Sequence, residues 1–264
     1  MKKIRVDELV VRQKLAENVD KARRMIMAGE IRTGDRLWDK AGQKIPADTR
    51  LEVKGKTCKW VSKGGLKLEE ALRTFCFDPK NMRCLDIGAS TGGFTHVLLE
   101  NDVAEVVALD VGYGQLDARI KDDPRIVIKD RTNFRTVDKR ELGDSFDLVV
   151  ADVSFISLRM ILPKAAEVLK ESGAAIVLIK PQFEAPRELV PDGGVIKDQK
   201  THISVIARLA DDIAQQCSLG IIELAPVPLV SRKKNIEFVS LWRKNHDGLS
   251  LKEIESVVLA AHQR

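Results

Sequence analysis

Leu85-Asp-Ile-Gly-Ala-Ser-Thr-Gly-Gly-Phe-Thr95 decides the fold. An apolar run over residues 82–87 carries an acid, Asp86, and passes into a cluster of small residues. Phe94, Val97 and Leu98 then recur at helical spacing. Strand, glycine turn and helix make the opening of a βαβ unit. Gly88, Gly92 and Gly93 let the backbone turn sharply and come close to a ligand at the start of the helix. The spacing is not the G-x-G-x-x-G of dinucleotide sites, so NAD or FAD fits poorly.

Outward from this turn, apolar runs alternate with amphipathic stretches. Strands are predicted at residues 82–87, 105–110, 125–128, 147–152 and 174–180, with less regular ones at 221–225 and 236–242. Helices are predicted at 158–169, where Pro163 is a breaker to explain, at 197–216 and at 251–261. Such alternation predicts a parallel sheet in an α/β domain. The last twenty residues carry no motif beyond that final helix.

Composition bounds the rest. With 44% hydrophobic and 31% charged residues, the 264-residue chain is ordinary globular material, not collagen-like, low-complexity or disordered. No apolar run approaches the ~20 residues that span a bilayer, and the charged N-terminus lacks the apolar stretch of a signal peptide. Cys58, Cys76, Cys84 and Cys217 show no paired metal or redox spacing, which predicts reduced cytoplasmic thiols in or near the core. His96, His202, His246 and His262 show no metal-ligand spacing either, and no metal is expected.

Charge is uneven. Residues 1–60 hold 16 Lys/Arg against 9 Asp/Glu, a net of +7, and the remainder holds 28 against 30, a net of −2. A basic head on a near-neutral body suggests an anionic partner, most commonly nucleic acid. In the head, Val6, Leu9, Val10 and Leu15 suit one short helix. Asn18 offers an N-cap to a second, which Gly29 can stop. Extended pieces surround Ile31, Leu37–Trp38 and Leu51–Val53. A helix exposing Lys21, Arg23 and Arg24 suits a phosphate backbone.

The order Arg5-Val-Asp-Glu-Leu-Val-Val-Arg12, Asn18-Val-Asp-Lys-Ala-Arg-Arg24 and Ile26-Met-Ala-Gly-Glu-Ile-Arg32 resembles the αL RNA-binding domain of the ribosomal protein S-four type. The resemblance covers residues 3–55, implies an α+β RNA-binding domain at 1–55, and makes Arg5, Arg12, Lys21, Arg23, Arg24 and Arg32 the RNA-binding candidates. It departs at Thr33-Gly34-Asp35, where such domains usually carry Val-Asn-Gly. Residues 56–65 read as the linker and 66–264 as the body.

The glycine turn resembles motif I of class I (Rossmann-like) S-adenosylmethionine methyltransferases, D-x-G-x-x-x-G-x-x-T. That fold implies that Asp86 and the loop Gly88, Ala89, Ser90, Thr91, Gly92 and Gly93 address the methionine end. Asp110, 24 residues after Asp86, would with Val111 meet the ribose hydroxyls, and Asp130 would read the adenine amino group. Three acids and this loop at successive strand ends point to a nucleoside-containing cofactor.

Two more strands end in charge, Asp152 and Lys180, and Glu237 lies in an apolar one. Unpaired burial of such groups costs several kcal/mol, so they should face a cleft and one another. A structural salt-bridge network would look the same. Lys63, Asp152, Lys180 and Glu237 fall in the K–D–K–E order of the FtsJ-like RNA 2′-O-methyltransferases. The strings Ser62-Lys-Gly-Gly-Leu-Lys67, Ala151-Asp-Val-Ser-Phe155, Lys180-Pro-Gln-Phe-Glu184 and Gly193-Gly-Val-Ile-Lys-Asp198 are similar to the TlyA family, which joins an αL head to an FtsJ-like body.

The resemblance implies S-adenosyl-L-methionine as cofactor and methylation of a ribose 2′-hydroxyl, at a cytidine, in ribosomal RNA or ribosomal subunits. 16S rRNA is the first candidate and 23S rRNA the second, with no DNA or membrane partner. Lys180 is expected to accept the proton with Asp152 orienting it, while Lys63, beside Lys180, and Glu237 position the ribose. Phe155 and Phe183 could line a pocket for the target base or pack on the sheet. Trp60 could stack on a base or pin the head to the body. Competing readings are a ribosome-associated RNA-binding protein with a vestigial fold, a haemolysin, and a methyltransferase for small molecules or proteins.

Overall fold

In a computed structural model the described residues are 3–34, 36–53, 59–228 and 235–263. The chain forms two compact units, Met1–Lys59 and Trp60–Arg264. The head runs β1 (Lys3–Arg5), α1 (Val6–Arg12), α2 (Val19–Met27), β2 (Ile31–Thr33), β3 (Arg36–Leu37), β4 (Lys44–Pro46) and β5 (Glu52–Val53). β1 pairs antiparallel with β4, and β2 lies between β3 and β5. Asn18 caps α2 by accepting from the Lys21 amide at 2.8 Å. α1 ends at Arg12, before the expected Leu15, and Lys14 follows in the left-handed region at φ +58°. Val6, Leu9, Val10, Ala22, Ile26, Ile31 and Trp38 form the core of the head.

The body opens with α3 (Gly64–Thr74), then β6 (Arg83–Ile87), α4 (Gly93–Glu100), β7 (Glu105–Leu109), β8 (Ile126–Lys129) and β9 (Phe146–Ala151). It continues through α5 (Leu162–Val168), β10 (Leu169–Ile179), α6 (Pro181–Glu184), α7 (Gln199–Cys217), β11 (Leu219–Pro226), β12 (Phe238–Lys244) and α8 (Leu251–His262). The seven body strands form one sheet in the order β8-β7-β6-β9-β10-β12-β11. Only β12 runs against its neighbours. Strand order reverses between β6 and β9, and ligands of open α/β sheets bind outside the carboxyl ends at such a point. This is the class I methyltransferase arrangement.

Leu148, Val149, Val150 and Ala151 are buried in succession, because layers on both sides of the sheet cover both faces of β9. One layer packs Leu85, Val149 and Val177 with Ile206, Leu209 and Ile213 of α7 and Ile254 and Val258 of α8. Among the described residues no helix is long and apolar enough to cross a membrane.

Three expectations change. The helix expected over 158–169 splits into a 3₁₀ turn, Leu158–Met160, and α5, with Pro163 in its first turn where no amide is needed. Leu169 then belongs to β10, whose register against β9 shifts between Leu169 and Ala174. The linker expected at 56–65 is shorter. Residues 56–58 lie outside the described residues, and Trp60 already belongs to the body, 2% exposed. Its indole donates to Glu69 at 2.9 Å and meets His96 edge-on. A side chain at Gly65 would collide with the Trp60 ring, so only glycine lets α3 start there. Cys84 is buried, but Cys76 is exposed; Cys58 lies outside the described residues.

Candidate active site

A cavity of about 680 Å³ opens at the carboxyl ends of β6, β7 and β9. Asp86, Gly88, Ala89, Ser90, Thr91, Gly93, Asp110 and Val111 line it. Asp86, at 1% exposure, accepts from both the amide (2.9 Å) and the hydroxyl (2.7 Å) of Thr95 at the start of α4. That helix end has amides to spare. Burial nevertheless pushes the Asp86 carboxyl up to about 7, against those two hydrogen bonds. Gly92 stands at φ +86°, where a side chain would run into Leu116 and Ile120; it shapes the turn without lining the cavity.

Asp110 accepts from the Ser90 amide at 2.8 Å and the Gly112 amide at 2.7 Å, one on each oxygen. Asp130 is placed differently from the expectation. It accepts from the Gly114 amide at 2.8 Å and is not among the lining residues; Thr132 and Asn133, just beyond it, are. Its carboxylate is used to fasten the loop that follows β7. Ser62 and Gly64, read from sequence as linker, also line the cavity.

Beside the cavity four charged side chains form a chain. Lys180 Nζ lies 2.6 Å from Asp152 Oδ1, Lys67 Nζ 3.1 Å from Asp152 Oδ2, and Lys67 Nζ 2.7 Å from Glu237 Oε2. Lys180 also donates to Ser154 Oγ at 2.9 Å. The order along the chain is Lys180–Asp152–Lys67–Glu237. Its second lysine is thus Lys67, in place of the expected Lys63. Lys63 is the exposed residue before α3, while Lys67, one helical turn later, turns inward. Burial draws the Lys67 ammonium down, but Asp152 and Glu237 together outweigh it and hold its pKa above the ordinary lysine value. Glu237 precedes β12, and Asn235 clasps the 193–196 loop there, accepting from the Ile196 amide at 2.8 Å and donating to the Gly194 carbonyl at 2.7 Å.

Phe155 is 90% exposed and left-handed at φ +62°, with its ring 5.0 Å from that of Phe183. For a non-glycine residue that backbone costs on the order of 1–3 kcal/mol and must be held by its surroundings. In the head, Lys21, Arg23 and Arg24 are exposed on α2. Arg5 and Arg23, however, also hold buried Asp7 at 2.7 and 3.1 Å, and Lys21 pairs with Glu17. Arg32 lies 3.5 Å from Glu52, and Arg12 is exposed.

The FtsJ-like methyltransferase family matches residues 60–244, a span that takes in the cavity and all four charged residues. The chain belongs to this family. YqxC of Bacillus subtilis is 40% identical across 99% of this chain and 95% of its own length. The Mycobacterium tuberculosis protein named 16S/23S rRNA (cytidine-2′-O)-methyltransferase TlyA is 38% identical across 97% of this chain and 96% of its own. A solved hemolysin-like structure from Streptococcus thermophilus, 36% identical, superposes with a TM-score of 0.77 over 100% of this chain and 97% of that one. These matches extend through the head, so within the FtsJ-like family the chain groups with TlyA-like proteins.

Proposed function

We propose that the protein transfers a methyl group from S-adenosylmethionine to the 2′-hydroxyl of a cytidine in ribosomal RNA, in the cytoplasm. One observation carries the reading: Asp152 and Lys180, the head of the four-residue ionic chain, line the same cavity as Asp86 and Asp110.

The lining fits S-adenosylmethionine by its chemistry. The Asp86 carboxylate suits the cationic methionine end of the ligand, and each Asp110 oxygen keeps lone-pair capacity for a ribose hydroxyl after accepting one amide. Thr132 and Asn133 take the adenine end expected of Asp130. Once bound, the cofactor supplies an already activated methyl group.

The chain's own task is to position a weak nucleophile and take its proton. Lys180 Nζ is held by Asp152 at 2.6 Å and by Ser154 Oγ at 2.9 Å, contacts that fix it at the cavity wall as the group to take the proton of the 2′-hydroxyl. Lys67, kept cationic by two carboxylates, stabilises negative charge on the ribose oxygen, and Glu237 orients it. Phe155 and Phe183 offer a surface on which the target base can stack. The +7 head, with Lys21, Arg23 and Arg24 outward, supplies phosphate contacts as an αL-type domain.

Labelled S-adenosylmethionine, offered with purified small and large ribosomal subunits, tests the reading. Wild type should label a subunit, and Lys180→Arg should be slower by about 100-fold or more while binding the cofactor normally. Failure of the wild type to label either subunit would remove the proposal.

A further inference from the structure

Glu184 is a buried carboxylate for which the reaction has no use as described. Its side chain is 2% exposed and accepts from Ser157 Oγ at 2.6 Å, the Leu158 amide at 2.8 Å and Arg159 Nη1 at 3.1 Å. Burial pushes its pKa up, against these donors. All three donors belong to one segment, 157–159, which leaves the loop carrying Asp152, Ser154 and Phe155. Glu184 itself closes α6, the single turn that begins after Lys180 and contains Phe183.

We propose that Glu184 is a positioning residue for methyl transfer, clamping the loop after β9 to the turn after β10 and thereby setting the Lys180–Asp152 and Phe155–Phe183 pairs. The proposal rests on the reading of Lys180 and Asp152 given above.

The geometry favours positioning over plain stabilisation. A buried ion pair adds little net stability compared with apolar packing, because desolvation offsets the attraction. What it adds is direction, since three donors converge on two fixed oxygens. The two loops meet at four successive places: Asp152–Lys180, Ser154–Lys180, Phe155–Phe183 and the Glu184 clamp. The first three meetings are the ones that must match a substrate. Within the clamp the bond from the Leu158 amide is buried on both partners, with Leu158 at 1% exposure. It also holds the segment just past Phe155, whose left-handed backbone must be kept in place by its surroundings. Arg159 also pairs through Nε with the more exposed Asp212 of α7 at 2.6 Å, a contact separate from the Nη1 bond to Glu184 and outside the clamp.

The experiment compares Glu184→Ala, Glu184→Gln and the control Asp212→Asn in the full chain. Single-turnover rates are taken at saturating S-adenosylmethionine and ribosomal subunit, normalised to the folded fraction, beside cofactor affinity and Tm. Glu184→Ala should slow the step about 30-fold, the scale of a small misplacement of reacting groups. Glu184→Gln, which can still accept from Leu158 and meet Ser157, should recover most of that loss, to within about 5-fold of wild type. Cofactor affinity should stay within about twofold, since Glu184 is not among the cavity-lining residues. Asp212→Asn should lower Tm without changing the rate. Fluorophenylalanine labelling adds a readout independent of substrate: the Phe155 fluorine resonance, assigned with Phe155→Leu, should move in Glu184→Ala and stay put in Asp212→Asn. A folded Glu184→Ala with the wild-type rate, a Glu184→Gln as slow as Glu184→Ala, or an unmoved Phe155 resonance overturns the proposal. A wild type that transfers no methyl group, with the resonance moving as expected, would fault the substrate reading instead.

Discussion

Lys67 Nζ lies 2.7 Å from Glu237 Oε2, joining the first turns of α3 to the start of β12. The contact exists because β12 is the one reversed strand of the sheet. Its first residues therefore reach the edge where β9 and β10 end. Ile179 faces Phe238 across that pairing, so Lys180 and Glu237 stand at the same end. Asp152, from β9, completes the set and shares its two oxygens between two lysines.

Removing Lys67 should therefore matter more than removing Lys63. Lys67→Met should lower the single-turnover rate by about 10–100-fold, on the scale of losing one preorganised charge. Lys63→Met, at an exposed position, should stay within about twofold. The reverse ranking would return the role to Lys63.

Asp110 fastens two loop amides and faces the cavity. Asp110→Ala should weaken S-adenosylmethionine binding by roughly 1–3 kcal/mol through lost charge-assisted hydrogen bonds. Calorimetry on a variant with normal Tm checks this; unchanged affinity would move the ribose elsewhere.

Asp86 gives cofactor binding a pH dependence. Its carboxyl, pushed up to about 7, is neutral below that pH in the free protein and ionised above it. A cationic ligand favours the ionised form, so affinity should rise between pH 6 and 7.5. Asp86→Asn should flatten the profile, measured by calorimetry at several pH values.

His202 makes stability itself depend on pH. Burial first, then neighbouring His262 at 2.9 Å, pull the His202 pKa down to about 4. The unfolded chain takes up that proton near pH ~6.5. Stability is thus fully present above that value and falls as pH drops towards 4. Urea denaturation should show a loss of roughly 1–2 kcal/mol from pH 7 to 5 on this account. His202→Gln should lessen the slope.

The parallel strands were legible because each is a short apolar run covered on both faces, as Phe146–Ala151 is. The motif I loop was legible because its glycines and acids are spaced by one tight turn. α3 was not, since two glycines at its start read as a join; the structure needs Gly65 there to clear Trp60. The same masking hid Lys67. Lys63 and Lys67 both stand in one short basic string, and only the helical turn between them decides which side chain faces Asp152. Asp130 misled for a different reason. An acid after a strand can serve a ligand or its own backbone, and here the Gly114 amide takes it. Glu184 ends the Lys180-Pro-Gln-Phe-Glu184 string, but the string gave it no role, because its donors lie more than twenty residues away in sequence.

The most direct measurement is nucleoside analysis of ribosomal RNA after incubation of purified subunits with the protein and S-adenosylmethionine. Full digestion followed by mass spectrometry separates 2′-O-methylcytidine from base-methylated cytidines. The account predicts new 2′-O-methylcytidine with wild type and Lys63→Met, and about 100-fold less with Lys180→Arg. Methyl groups found on a base or on ribosomal protein, or 2′-O-methylcytidine formed equally well by Lys180→Arg, would contradict it.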